Sequence, residues 1–387
     1  MQAYFAVSAP GLEAFVAQEL LQLGLVERAT PTPGGVEFSG DPGALYRANL
    51  YLRTASRVLA RLGDFQAIGF SELRKRAGRL EWERYLKPGQ PVALRVTCHK
   101  SRLYHSDAVA ERVAAAIGDR LGQPSPQHQP DDDASGPSPQ LVVVRLAFDH
   151  CTISLDSSGE LLHRRGYRLA TAKAPLRETL AAALLLASGW DGISPLLDPF
   201  CGSGTIPIEA ASLALGLPPG RQRRFAFMDW PGFEQATWQA LLDQAEQASQ
   251  RLARAKTGKL CLLASDRDAG AIKLAQANAA RAGVADWIEF SCRAVSAIEP
   301  PAQPGWLVTN PPYGLRVSPE KDLRNLYAQL GNLLRARCPG WQVALLSSDR
   351  LLLGQTGLRL DTSLALVNGG VPVRLGRGRV ELPPTKI

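Results

Sequence analysis

The segment Asn310-Pro-Pro-Tyr313, followed by Gly314, comes directly after the apolar run Trp306–Thr309. Its two prolines fix backbone dihedrals and delete two N–H donors, so the loop offers carbonyl acceptors in a rigid frame. Acceptors are what an amine needs. The Asn310 side-chain oxygen and the Pro311 carbonyl can take both N–H bonds of an exocyclic amino group, which aims the nitrogen lone pair at an electrophilic carbon. Pro312 completes the frame. Tyr313 can stack on the face of a base, a contact worth about 1–3 kcal/mol in single-strand binders. Such a site works by positioning and electrostatics, without a covalent step. The bland alternative is a proline-fixed turn after a buried strand. Carbon methylation of a pyrimidine would instead require a thiolate beside the loop. No cysteine lies in it, and Cys292 and Cys338 read as core residues.

A second segment, Leu196-Leu-Asp198-Pro-Phe200-Cys-Gly202-Ser203-Gly204-Thr205, is a strand ending in an acid, a tight glycine turn and a helix start. In open parallel sheets ligands bind at the carboxyl ends of strands, and glycines permit close backbone approach there. The loop lacks the third glycine of a dinucleotide fingerprint and the Gly-Lys-Ser/Thr of a P-loop. A pyrophosphate beside Asp198 would be repelled. A ligand with an ammonium for Asp198 and a carboxylate for helix N-terminal amides fits S-adenosylmethionine. Taken alone, Gly202 and Gly204 would only make a turn, but the next strand ends at Ser265-Asp266-Arg267-Asp268, where an acid can grip a ribose diol. Asp266 is the choice for the diol. Asp268 suits either that role or the N-cap of the following helix.

The elements that must position these residues form an alternating pattern. We expect helix Pro175–Ala187, strand Leu196–Phe200, helix Thr205–Leu215, strand Leu260–Ser265, helix Ala269–Ala282, strands Trp287–Ser291 and Trp306–Thr309, helix Leu323–Arg335 and strand Gln342–Ser347. That order implies βαβ units and a mainly parallel sheet. Leu358–Leu382, with Asn368-Gly-Gly, reads as strands joined by a turn at the sheet edge. The preceding half reads as smaller α+β units: strand Tyr4–Val7, helix Gly11–Leu23, strand Val36–Phe38, helices Ala44–Leu62 and Ser71–Leu86, strand Val92–Thr97, helix Ser106–Leu121, and a hairpin of Leu141–Phe148 with Thr152–Leu155. Gly122–Gln140, poor in apolar residues, is expected to be a mobile insertion, with Asp131–Asp133 a solvated loop.

A chain of 387 residues with 45% hydrophobic content can bury more than one core. Its net charge of +8 suits a phosphate-bearing partner. The six cysteines show neither CxxC pairs nor matched histidine spacing, which predicts no metal site and no disulfide framework. Neither a signal-peptide pattern nor a membrane-length apolar run is present, so a cytoplasmic protein without membrane attachment is expected.

Four segments carry a family resemblance: Leu162-His-Arg-Arg-Gly-Tyr-Arg168, Ala174-Pro-Leu-Arg-Glu-Thr179, Asp198–Gly204 and Asn310–Gly314. Together they resemble the THUMP-containing class I RNA methyltransferases that form N2-methylguanosine, the group of RlmL-like ribosomal enzymes and related tRNA enzymes. The resemblance implies an α/β fold, with a class I Rossmann-like methyltransferase domain (165–387) preceded by a ferredoxin-like domain (1–60) and a THUMP domain (61–160), both α+β, that docks RNA. It implies 23S ribosomal RNA or tRNA as partner. It also suggests that Glu178 or Thr179 borders the methionine moiety; otherwise they are an ordinary helix start with Thr179 facing the core. One departure stands out: the family places an acid after the third strand for the adenine amine, where this chain has Ala294.

Arg74-Lys75-Arg76, Lys100 and Arg102 crowd a stretch with few acids beside Tyr85 and Tyr104, a pattern suited to phosphate contact without sequence readout. Arg164, Arg165, Tyr167 and Arg168 are expected at the domain junction, on the path of an entering base. Three rival functions remain at this level: a tRNA N2-guanine methyltransferase, an adenine N6-methyltransferase of DNA or RNA, and a non-catalytic RNA-binding assembly factor.

Overall fold

The computed structural model describes residues 1–129, 131, 139–168, 176–256, 260–313 and 323–382. Ala174, Pro175, Asp132, Asp133 and Gly314 lie outside them. The chain separates into two units.

The first unit comprises 1–8, 16–162 and 223–242. Its elements are β1 (Gln2–Ser8), α1 (Glu13–Gln22), β2 (Pro31–Thr32), β3 (Gly35–Gly40), α2 (Pro42–Tyr51), β4 (Ala55–Gln66), α3 (Phe70–Ala77), β5 (Val92–His99), α4 (Ser106–Leu121), β6 (Gln127–His128), β7 (Gln140–Ala147) and β8 (His150–Asp156). The strands form one sheet in the order β2-β3-β1-β4-β8-β7-β5-β6. At its centre, 12-residue β4 pairs antiparallel with β1 on one side and β8 on the other. The boundary expected at residue 60 therefore falls inside a strand.

The helix expected over Ala44–Leu62 is two elements. Asp41 caps α2 by accepting from the Ala44 amide at 2.8 Å, and the helix stops at Tyr51. At the break, buried Glu19 accepts from the amides of Arg53 (2.7 Å) and Thr54 (3.0 Å). Apolar spacing on both sides mimics one helix; the acceptor that ends it comes from α1, out of reach of a local pattern. The helix expected over Ser71–Leu86 likewise ends at Ala77, before Gly78, and Trp82–Arg84 is a 3-10 turn. Within the expected mobile insertion, β6 pairs in parallel with Val92–Ala93, and the Gln140 side chain donates to the Asp156 carbonyl at 2.8 Å. Residues 127–128 and Gln140 of that stretch are thus built into the sheet.

Residues 223–242, assigned from sequence to the catalytic domain, belong to this first unit. Tyr46 stacks on Phe227 at 4.6 Å, Phe225, Phe233 and Trp238 complete the cluster, and Trp230 donates to Gln140 at 2.8 Å.

The second unit comprises 9–15, 163–222 and 243–387. Its sheet and covering helices use α5 (Glu178–Ser188), β9 (Leu196–Asp198), α6 (Thr205–Ala214), α7 (Gln235–Lys256, whose first turns count with the first unit), β10 (Leu262–Asp266), α8 (Ala269–Arg281), β11 (Glu289–Cys292), β12 (Trp306–Thr309), α9 (Leu323–Arg337), β13 (Gln342–Ser347), α10 (Arg350–Gln355), β14 (Ala365–Asn368) and β15 (Val371–Arg379). The order is β11-β10-β9-β12-β13-β15-β14, with the first five strands parallel and β15 antiparallel to both neighbours. One apolar cluster holds α5, α6 and α8 residues such as Leu184, Ile208 and Ala279; a second holds Tyr327, Leu334 and Leu353 of α9 and α10. A parallel sheet buried on both faces results. No described helix is long and apolar enough to cross a membrane.

Candidate active site

The strand sequence reverses direction between β9 and β12, the switch point at which open α/β sheets bind ligands beyond their strand ends. Asp198 ends β9, and Thr309 ends β12. The two meet: the Thr309 hydroxyl donates to Asp198 Oδ1 at 2.6 Å, and the Phe200 amide donates to the same oxygen at 3.2 Å. Asp198 is 1% exposed, and its Oδ2 has no hydrogen-bond partner among the described residues. Burial pushes its carboxyl up to about 7 against those two donors, and the Asp266 charge adds to the rise.

Behind Asp198 the chain makes its tight turn with Gly202 (φ +52°) and Gly204 (φ +85°), both left-handed. A Cβ on Gly204 would also lie 3.0 Å from the Ala275 side chain of α8, so only glycine lets α6 start so close to its neighbour. The Asn278 amide fixes the Ser203 carbonyl at 3.0 Å. Asp266, at the end of β10, accepts from the Gly202 amide at 3.0 Å through Oδ2 and from the Asp268 amide at 3.0 Å through Oδ1. It therefore braces the glycine turn. Asp268 resolves as the N-cap of α8, accepting from Gly270 at 2.7 Å. Arg267 is exposed beside it. Ala294 is exposed and precedes a short 3-10 turn, while the neighbouring Arg293 amide donates to the Asp266 carbonyl at 3.0 Å.

The Asn310 loop leaves β12 and is held at Pro312 and Tyr313. Tyr327 of α9, fully buried, donates to the Pro312 carbonyl at 3.3 Å, and the Asn368 amide donates to the Tyr313 hydroxyl at 2.8 Å. The Asn310 Oδ1 atom is buried with no hydrogen-bond partner among the described residues. A buried acceptor left open costs free energy unless a ligand donor meets it. Thr309, Tyr327 and Asn368 were missed by sequence reasoning: Thr309 read as a strand end, Asn368 as part of a turn, and Tyr327 lay unremarked within an expected helix. Cys292 corrects another expectation, being exposed where a core place was assigned; Cys338 is buried.

The motif around Arg168 lies inside this unit. Glu178 at the start of α5 is 2% exposed and pairs with Arg168 at 3.3 Å; its Oε2 has no partner among the described residues, and burial lifts its carboxyl to about 7 despite that arginine. Thr179 beside it is 7% exposed. Arg168 also donates to the Thr205 hydroxyl at 2.6 Å and to the Leu176 carbonyl at 3.2 Å, so it ties the first turns of α5 and α6 together. Arg165 is 4% exposed and faces Glu209 at 3.6 Å, and the Tyr167 hydroxyl donates to the same carboxylate at 3.3 Å. The expectation that Arg165 and Arg168 contact RNA is thereby corrected: their guanidiniums are committed to buried carboxylates. Arg164 is half-buried.

In the first unit, Arg74 grips Asp119 at 2.7 and 2.8 Å, and Arg76 pairs with Glu72 at 2.8 Å, so two of the three clustered charges are already neutralised locally. Lys75 is exposed on α3 between them. Lys100 and Arg102 are exposed after β5.

Two buried carboxylate oxygens open to a ligand, Asp198 Oδ2 and Glu178 Oε2, suit a molecule carrying ammonium and sulfonium charge and would repel a pyrophosphate. With the sheet order, the glycine turn and the proline loop that carries the unpartnered Asn310 oxygen, they define a class I S-adenosylmethionine-dependent methyltransferase. Family profiles match an RMKL-like methyltransferase domain over 165–374, an RlmL ferredoxin-like domain over 3–59 and a THUMP domain over 69–156, and the chain belongs to this RMKL-like methyltransferase family. A Synechocystis sp. protein named "Putative RNA methyltransferase" is 38% identical, covering 96% of this chain and 95% of its own length. The ribosomal RNA large subunit methyltransferase K/L of Syntrophotalea carbinolica is 36% identical over 96% of this chain but 53% of its own length. The chain thus spans about half of that relative. A solved structure described as a putative methyltransferase complexed with SAH superposes with a TM-score of 0.86 at 29% identity, covering 100% of this chain and 99% of that one.

Proposed function

We propose that this chain methylates the exocyclic N2 amine of guanine in large-subunit (23S) ribosomal RNA. The observation that carries the reading is Asn310 Oδ1, a buried acceptor without a partner among the described residues, on a loop rooted at the switch point of the sheet. When bound, S-adenosylmethionine supplies an electrophilic methyl group on a sulfonium. Asp198 and Glu178 hold its positive groups, with Phe200, Gly202, Ser203, Gly204 and Thr205 shaping the turn around it and Asp266 and Arg267 at the ribose side. Asn310 and the Pro311 carbonyl take the two N–H bonds of the amine, because the Pro312 carbonyl is engaged by Tyr327. Tyr313, held by Asn368, stacks on the base. The THUMP match and the names of the relatives favour RNA over DNA. Lys75, Lys100, Arg102 and Arg164, with Arg74 and Arg76 in lesser part, hold its phosphates. The ferredoxin-like and THUMP segments (1–60 and 61–160), with 223–242 packed into the same unit, serve docking, and the rest of 165–387 serves catalysis.

The test is transfer of labelled methyl from S-adenosylmethionine to ribosomal RNA and, separately, to bulk tRNA from a strain lacking the protein, with nucleoside mass spectrometry. N2-methylguanosine in 23S ribosomal RNA is expected. Asn310→Ala should lower turnover about 10²–10³-fold, as loss of one transition-state hydrogen bond does, with S-adenosylmethionine affinity nearly unchanged. Product in tRNA alone would move the substrate, and N6-methyladenosine would overturn the guanine assignment. Absence of transfer to either pool and to ribosome-assembly intermediates would leave a non-catalytic RNA-binding role.

A further inference from the structure

Three non-glycine residues among those described have a left-handed backbone: Lys100 (φ +46°), Phe148 (φ +54°) and Asp149 (φ +62°). All three lie at one end of the first unit's sheet. Phe148 and Asp149 form the two-residue turn between β7 and β8, closed by the Ala147–His150 pair. Such a turn, with both residues left-handed, favours Asn-Gly, and phenylalanine is a poor choice sterically. It is also a poor choice for hydration, since Phe148 is 66% exposed. Tyr104, at 69%, is the other exposed aromatic among the described residues, and it follows the same β5 end.

The turn is braced. The Phe148 amide donates to the His99 carbonyl at 3.1 Å, the Asp149 amide to the Ser101 hydroxyl at 3.0 Å, the Arg102 amide to Asp149 Oδ1 at 2.7 Å and the Ala67 amide to the Asp149 carbonyl at 2.8 Å. The backbone is therefore fixed in a conformation that holds an aromatic ring out in water. Lys100 Nζ lies 5.6 Å over the Phe148 ring, and the His99 ring meets it edge-on at 5.6 Å. Tyr104 carries His105 against it at 4.1 Å. Arg102 is 70% exposed along its side chain. Lys100 and Arg102 flank exposed rings on a rigid edge, and Asp149, woven into the brace, lies 3.7 Å from the Arg102 Nε in a loose, partly solvent-exposed pair that a phosphate can replace. A strained, hydrophobic turn residue with no burial to offset it marks a functional surface.

We propose that this edge is a stacking platform for unpaired nucleotides of the RNA, with Phe148 and Tyr104 receiving base faces and Lys100 and Arg102 the adjoining phosphates. The proposal rests on RNA being the substrate, and it adds a single-strand recognition mode that phosphate contacts alone do not supply.

Binding of the full chain to a single-stranded RNA oligonucleotide and to a duplex of the same sequence, followed by fluorescence anisotropy at fixed salt, tests it. Phe148→Asn is the informative variant, because asparagine tolerates the left-handed turn and keeps the fold while removing the ring. It should weaken single-strand binding about tenfold, leave duplex binding within about twofold and leave the salt dependence unchanged. Adding Tyr104→Ala should weaken the single strand further. Lys100→Gln should lower the salt slope by about 0.7, the value per contact on single strands. Unchanged single-strand affinity in Phe148→Asn, or an equal loss for duplex, would overturn the platform while leaving RNA methylation standing. Wild-type protein that binds neither RNA would overturn both.

Discussion

Arginine stands in two settings that look alike in sequence and differ in physics. Arg165 and Arg168, in a run of basic residues, sit in the second unit against Glu209 and Glu178, every partner nearly excluded from water. Arg74 and Arg76, in another basic run, pair with Asp119 and Glu72 in open solvent. In the first setting the pair is architecture: removing one member strands a charge in low dielectric. In the second the pair is screened and exchangeable with water or with a phosphate. Basic clusters in a sequence therefore report charge but not its employment, and burial decides which arginines are available to RNA.

The largest expected effect tests that contrast directly. Arg168→Met leaves Glu178 buried without its cation and unties the starts of α5 and α6, and should cost about 3–5 kcal/mol of stability by chemical denaturation at pH 8. At pH 6 the loss should shrink, because the Glu178 carboxyl, already raised to about 7, takes a proton and becomes neutral. Arg74→Met in the same assay should leave the denaturation midpoint unmoved. Equal losses at both positions would erase the distinction.

The second effect concerns the two acids proposed to hold the cofactor. Burial raises Asp198 from its ordinary 3.8 and Glu178 from 4.5, both to about 7, so the folded protein binds more protons than the unfolded chain between those values. Stability without cofactor is then fully present below about pH 4 as far as these groups are concerned, and it declines as pH rises through 7. Asp198→Asn removes one such group and should flatten that decline in a melting-temperature series. Cofactor affinity runs the opposite way, since the sulfonium and ammonium need carboxylates. At pH 8, Asp198→Asn should weaken S-adenosylmethionine about ten- to a hundredfold by calorimetry, the worth of a hydrogen bond to a charged group, with a smaller gap at pH 6. A pH-independent gap would show that Asp198 acts through shape alone, by way of its bond from Thr309.

What could be read from the sequence followed the reach of each signal. Strand-to-loop junctions such as Leu196–Gly204 and Trp306–Tyr313 were legible because acid, glycine and proline act on their own backbone within a few residues. Asp268 was left between two roles because an N-cap and a diol ligand demand the same residue type at the same place; only the amides of Gly270 and Ala271 decide. Helix α2 was overrun into β4 because Glu19, which ends it, comes from another helix. The 22-residue α7 went unassigned although Trp238, Ala245 and Ser249 lie buried along it; its polar, glutamine-rich face hid the stripe. The residues that tie the Asn310–Tyr313 loop and the strand end before it, Thr309, Tyr327 and Asn368, were invisible for a related reason: each acts across the sheet, and no spacing records which strand lies next to which.

The smallest effect separates the exposed cations from one another. Arg74 already holds Asp119 by two bonds, so contact with a phosphate would first have to break them, whereas Lys75 next to it is exposed and forms no ion pair among the described residues. Replacing Lys75 by Gln should lower the slope of log affinity against log salt by about 0.7–0.9, one phosphate's worth of released counterion, and weaken single-stranded and duplex RNA alike. Arg74→Gln should change the slope by less than half as much, because the protein's own carboxylate already supplies the counter-charge. Equal slopes for the two variants would mean that RNA displaces Asp119, and then the exposed ion pairs of α3 would belong to the binding surface as fully as its unpaired lysine.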